Sequence, residues 1–284
     1  MVNAYFKPKS AEEAVRLLAS EKDAVLLAGG TYLLTSQFVG KPMTAIAISG
    51  LLPESIERHG ERMIIGAGAT FQALVEAACA PAALRGAAQA MTDRNIRNCA
   101  TVGGNIGADK SCASLVPFFL VAEARYSRVG ALAVGAAEWQ AMAAEERGIV
   151  AAVEFAAPAA RRFAFSRYAR TSCDVAVLTC AASAEFEAGE GGPAARGLRI
   201  AMGGLSPHAR RFPELERLFE GAALPDKAAI EAAAAPLLSP VADARGSAEF
   251  KRARAAALLA DVLAELAAPA TPNAGESANR EARP

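Results

Sequence analysis

The sequence predicts an α+β protein of two domains. Three observations carry this. The first fifty residues hold a compact βαβ-like pattern. Three strand-like runs, Arg162 to Tyr168, Val175 to Phe186 and Leu198 to Met202, are separated by polar and Gly/Pro turns that suit an antiparallel sheet. Helical patterns follow them. At 284 residues the chain can bury two modest cores, and Pro158-Ala159-Ala160-Arg161-Arg162 punctuates it between them.

The elements follow in order. Ser10 and Glu13 form a capping-box pattern ahead of Ala14, Leu17 and Leu18, an apolar stripe at helical spacing. Ala24 to Ala28 is a short apolar run closed by two glycines, a strand followed by a tight turn. Thr44 to Ile48 and Met63 to Ile65 are two further strand candidates. Residues 70 to 90 are Ala-rich and helical, with Pro81 starting a second helix. The polar segment Thr92 to Asn98 leads into a second pair of glycines. Leu115 to Ala122 reads as a buried helix with Pro117 near its start. Strands are expected at Ala124 to Arg128, Leu132 to Val134 and Ile149 to Phe155. Beyond the boundary, Glu190-Gly191-Gly192-Pro193 reads as a hairpin or loop. Helices are expected at Pro213 to Phe219, Lys227 to Ala235 and Ser247 to Leu266; the last gathers Leu258, Leu259, Val262, Leu263 and Leu266 on one face. From Pro269 the Pro, Ala, Asn, Glu and Ser tail has no periodicity, and disorder is expected there.

Composition narrows the function. Thirty basic and thirty acidic residues cancel, and aromatics are few, so nothing favours nucleic acid. No apolar run reaches the ~18 residues of a membrane span, and MVNAYFKPKS lacks the apolar core of an export signal. A cytoplasmic protein is expected. Cys79, Cys99, Cys112, Cys173 and Cys180 form no CxxC pair, and His59 and His208 lie apart from them in sequence. The tight ligand spacings of zinc and iron–sulfur sites are therefore missing, and ordinary thiols are the reading.

Two glycine-rich segments carry the chemistry. In the first, Leu26-Leu27-Ala28-Gly29-Gly30-Thr31-Tyr32-Leu33-Leu34, an apolar run ends in adjacent glycines. Paired glycines let successive backbone N–H groups face an anion without a cationic side chain. For an isolated AGGT, a tight strand-to-helix connection without ligand is the better explanation. The spacing is not the G-x-G-x-x-G of dinucleotide-binding folds. In the second segment, Thr101 and Asn105 bracket Val102, Gly103 and Gly104. Their short polar side chains suit ribityl or phosphate oxygens, while the glycines let a flat ring lie close. Arg97 can either neutralise phosphate or brace the loop through carbonyls.

Together, LLAGGTYLL and IRNCATVGGNIG resemble the FAD-binding subunit, or domain, of the molybdenum hydroxylases of the xanthine dehydrogenase and aerobic carbon monoxide dehydrogenase type. Arg167-Tyr168-Ala169-Arg170 with Asp174-Val175-Ala176-Val177, and RIAMGGLSP at 199–207, resemble the C-terminal flavoprotein domain, so the likeness spans residues 1–266. It implies a vanillyl-alcohol-oxidase-like FAD domain at 1–157, with subdomains at about 1–50 and 51–157. An α+β domain with an antiparallel sheet at 158–266 and a tail at 267–284 would follow. By the same resemblance Leu26 to Leu33 wrap the FAD pyrophosphate. Thr101, Val102, Gly103, Gly104 and Asn105 contact phosphates, ribityl chain and flavin, and Arg167 lies near the flavin. Where the family commonly carries Asp, this chain has Ser114, which can bond the cofactor but brings no charge. Asp109-Lys110-Ser111-Cys112 also departs from the family's small, Pro-containing stretch; Asp109 can supply a carboxylate from a neighbouring position, but an exposed loop charge paired with Lys110 is the preferred reading.

The implied role is electron transfer: from a molybdopterin-containing catalytic subunit through the clusters of an iron–sulfur subunit to FAD here, and on to an acceptor such as NAD. The protein supplies position and electrostatics to such a cofactor, so no acid–base dyad is needed. Two rivals stand beside this reading: a cofactor-free scaffold of the same fold, and a stand-alone flavin oxidoreductase.

Overall fold

A computed structural model describes residues 2–35, 38, 40–91, 93–189 and 192–268. The expectations for Pro269 onward, and for Thr92, Glu190 and Gly191, lie outside the described residues.

The N-terminal unit joins β1 (Val2–Phe6), α1 (Ala11–Ser20), β2 (Ala24–Leu27) and β3 (Met43–Ala47). β3 lies between β1 and β2 and runs parallel to both. Ser10 Oγ accepts the Glu13 N–H at 3.2 Å, while Glu13 reaches back to Lys9 N–H at 2.6 Å. Ala14, Leu17 and Leu18 pack on Ile46 and Ile48, as their spacing requires. β1 carries no alternating pattern because its residues are nearly all exposed. Pairing with β3 makes it a strand, and its local composition does not.

The middle unit holds β4 (Ile56–His59), β5 (Arg62–Gly66), α2 (Phe71–Glu76), α3 (Ala82–Gln89), α4 (Arg94–Cys99), α5 (Val102–Ala108), α6 (Val116–Val121), β6 (Arg125–Arg128), β7 (Ala131–Gly135), α7 (Ala136–Ala141), α8 (Ala144–Arg147) and β8 (Val150–Ala156). Its sheet has the order β4-β5-β8-β6-β7, antiparallel throughout. Two expectations change here. The polar stretch before the second glycine pair is a helix, α4, because Asp93 accepts the Ile96 N–H at 3.0 Å and caps it. The second glycine pair is likewise helical: it opens α5, capped by Thr101. The core centres on Phe118, Phe119, Tyr126, Trp139 and Phe155, whose rings meet edge-on or tilted at 5.5–6.3 Å.

The C-terminal unit has β9 (Arg162–Tyr168), β10 (Leu178–Glu187), β11 (Ala194–Gly203), β12 (Arg210–Arg211), α9 (Pro213–Phe219), α10 (Lys227–Ala234) and α11 (Ala248–Ala267). The sheet order is β12-β11-β10-β9, all antiparallel. β10 begins at Leu178, later than its apolar run suggests: Val175 is exposed, and the carbonyls of Asp174 and Ala176 accept from the Arg167 and Arg245 side chains, with Val177 N–H donating to Tyr168 O at 2.8 Å. Alternation along β10 decides the packing. Cys180, Ala182 and Ala184 face the core built with α10 and α11, whereas Ala181 joins the middle unit's core. The sheet is thus buried on both faces, with Ser183 Oγ donating to Val121 O at 2.9 Å across the junction.

Candidate functional site

The first glycine segment leaves β2 after Leu26 and Leu27, which lie in register with Ile46 and Ala47. Ala28 O accepts from Ser49 Oγ at 3.2 Å. Gly30 has φ +70°, where side chains are disfavoured, and Leu34 N–H closes back on its carbonyl at 3.0 Å. Among the described residues, the backbone N–H groups of Gly29, Gly30, Thr31, Tyr32 and Leu33 have no acceptor. Nearly all buried backbone donors in proteins are paired, so a half-exposed run of unpaired ones marks where an external acceptor fits.

The second segment is built differently. Thr101 Oγ1 accepts the Gly104 N–H at 3.0 Å; Val102 and Gly103 donate to Ala69 O at 2.9 Å and Ala67 O at 2.8 Å. Its N–H groups therefore hold α5 against the loop after β5, and they do not form an open anion nest. Gly103 is required there, since a Cβ would lie 2.8 Å from the Ala67 methyl. Gly104 and Gly107 are exposed, so the helix shows a bare face. Asn105 Oδ1 accepts the Leu115 N–H at 3.2 Å, which ties α5 to the buried Ser114 and the start of α6.

The two segments touch. A Cβ on Gly29 would fall 1.7 Å from Cys99 O, at the end of α4 and two residues before Thr101. Only a glycine lets the first loop seat against the second motif. They form one continuous surface, closer than two separate walls.

Other candidates resolve as follows. Arg97 is buried and donates to Gln72 Oε1 and Met91 O, both at 3.0 Å, so it braces the approach to α5. Arg167 donates to Asp174 O at 2.9 Å and to Ser172 O. It lies in register with Thr179, beside Gly203, whose Cβ position is 2.4 Å from Ser111 O. This places the C-terminal sheet against the loop that follows α5. Gly204 N–H donates to Ser111 O at 2.7 Å, and Ser111 Oγ donates to Ser206 O at 2.5 Å.

Asp109 corrects the sequence reading. It is buried at 6% exposure, caps α5 with φ +40°, and does not pair with Lys110. Its carboxylate receives Arg147 at 2.9 Å, His208 at 3.0 Å and Gln140 at 3.3 Å, joining α5 to α7, α8 and the C-terminal unit. Burial first, and the Asp109 charge second, push the nearby Tyr126 phenol up. No periodicity could reveal this node, because its members come from four distant segments.

A cavity of about 180 Å³ lies at the same junction, lined by Ser111, Gly204, Ser206, Val241, Asp243 and Lys251. Lys251 is 1% exposed and donates to Gly204 O, Val241 O and Asp243 at 3.1, 3.0 and 2.9 Å. Burial opposes the Asp243 charge. The Lys251 ammonium, the Arg245 N–H and the neighbouring cations outweigh it and hold the carboxyl below its ordinary value.

An open row of donors on a strand-to-turn junction, joined to a bare glycine helix, is a surface that can accept an anion and a flat ring. Residues 1–157 match the family model of the FAD-binding domain in molybdopterin dehydrogenases, and residues 163–266 match that of the carbon monoxide dehydrogenase flavoprotein C-terminal domain. The chain belongs to the FAD-binding medium subunits of the molybdenum hydroxylase family. It is 31% identical to the carbon monoxide dehydrogenase medium chain of Hydrogenophaga pseudoflava, over 88% of this chain and 92% of that one. It is 28% identical to the uncharacterised protein YgfM of Escherichia coli K12, over 93% and 96%. A solved structure of the Hydrogenophaga pseudoflava carbon monoxide dehydrogenase lacking its Mo-pyranopterin moiety superposes with a TM-score of 0.81. It covers 93% of this chain and 96% of that one at 28% identity. The chain is thus an FAD-dependent oxidoreductase subunit.

Proposed function

We propose that FAD lies along the joined glycine surface and that the chain transfers electrons within a larger cytoplasmic complex. The run of five unpaired N–H groups from Gly29 to Leu33 carries the reading: an anion of two phosphates is the ligand such a row accepts without a matching side-chain charge. In this reading Leu26 to Leu33 take the pyrophosphate. Thr101, Gly103, Gly104 and Asn105, with Ser114 behind them, line the ribityl chain and ring, while Val102, expected among them, is fully buried in the core beneath. Arg167 brings a fixed positive charge to the sheet end that meets Ser111. The domains divide near residue 157, and the fold of 1–157 supplies both glycine segments.

FAD, when bound, supplies exchange between one-electron and two-electron carriers. The residues here bind and orient it. Relatives named as carbon monoxide dehydrogenase support a complex with an iron–sulfur subunit and a molybdopterin-containing subunit. In this reading the acceptor is NAD or another carrier. The test is to purify the full chain, extract its cofactor and record the absorption spectrum. FAD at about one per chain is expected. A folded, colourless protein with no affinity for added FAD would sink the reading.

A further inference from the structure

Lys110 stands at the departure from the family pattern, in the loop just after α5. Its Nζ lies 4.2 Å from the centre of the Tyr32 ring. Tyr32 belongs to the loop whose N–H groups are unpaired, and its ring meets Phe38 edge-on at 5.0 Å, with the Lys41 ammonium 5.4 Å over Phe38. Lys110 has no carboxylate partner among the described residues. Its neighbour Asp109 is not available to it, because that carboxylate is turned inward to Arg147, Gln140 and His208. A cation without a counterion thus rests on the side chain of the loop that offers a row of unpaired donors. Both features call for negative charge at one place.

We propose that Lys110 is a phosphate-binding residue of this chain: its ammonium neutralises the FAD pyrophosphate held on the Gly29 to Leu33 N–H groups. The Tyr32 ring keeps the ammonium beside that row. The proposal rests on the FAD reading above and adds a charge that the Gly-rich loop lacks. Ammonium–phosphate attraction is screened by salt and is absent for a ligand without phosphate.

The test uses the full-length apo chain titrated with FAD and, separately, with riboflavin, at low and high salt. Wild-type protein should bind FAD more weakly as salt rises. Lys110→Met should weaken FAD about tenfold at low salt, flatten its salt dependence and leave riboflavin affinity unchanged. Lys110→Arg should stay within about threefold of wild type. Three results would overturn the proposal: FAD affinity of Lys110→Met equal to wild type, equal weakening of FAD and riboflavin, or Lys110→Arg as weak as Lys110→Met. Failure of the wild-type chain to bind FAD would instead remove the reading beneath it.

Discussion

Gly29→Ala perturbs the point where the two glycine motifs meet. The new methyl would sit 1.7 Å from Cys99 O and 2.5 Å from its carbonyl carbon. Close carbon–oxygen contacts lie near 3.3 Å, so the loop and the end of α4 must separate by about 1.6 Å. Neither side yields easily. Ala100 is pinned on both sides, by its N–H to Ile96 O and by its carbonyl to Phe71 N, each at 2.8 Å. Ala28 is held by Ser49. Overpacking of this kind costs about 3 kcal/mol where both partners are backbone, or roughly 6–10 °C of melting temperature for a chain of this size. A shift of that length also takes the N–H row out of hydrogen-bond range of a bound phosphate. Losing two charge-assisted bonds weakens FAD about a hundredfold. The assay is thermal unfolding of the apo chain together with FAD titration. Gly107→Ala is the control: nothing lies within 4 Å of its added Cβ, and alanine in helix α5 should stabilise the apo chain by about 0.4–1 kcal/mol. Gly29→Ala that melts and binds FAD as wild type would refute the contact between the motifs.

Three further outcomes are expected. Asp109→Asn keeps a residue that tolerates positive φ but removes the buried charge facing Arg147 and His208, and should cost about 3 kcal/mol in urea unfolding; an unchanged midpoint would dismiss the node. Because the folded Asp243 carboxyl titrates below its ordinary 3.8, its contribution to stability is complete above that pH and is lost as the pH falls through the lower folded value. Melting temperatures of Asp243→Asn measured from pH 6 to 3 should therefore fall less steeply with acid than those of wild type, and parallel curves would contradict this. Burial pushes the Cys180 thiol up, so iodoacetamide on the native chain should label the exposed Cys99 and Cys173 and spare Cys180; mass spectrometry reads the sites.

Much of the chain was legible because local rules were strong. Ser10 with Glu13 placed α1, Pro213 opened α9, and Ser247 capped α11, whose apolar positions face β9 and β10. The paired glycine motifs and the C-terminal RIAMGGLSP segment pointed to the right family. What could not be read depended on partners distant in sequence. β1 exists through β3, and α4 hid in a polar stretch whose only helical signal was Asp93. Asp109 looked like a loop charge because Arg147 and His208 lie 38 and 99 positions away.

The sequence by itself determined the family and where the paired glycines and the cap Thr101 fall, since glycine spacing and capping residues act locally and survive in any context. Only the tertiary structure decided how the parts divide the work. It left the first loop's donors unpaired while engaging those of the second. It pressed Gly29 onto Cys99, turned Asp109 inward and set Lys110 on Tyr32. The physical reason is that a donor's availability and a charge's partner are properties of the space around them, which the folded chain alone defines.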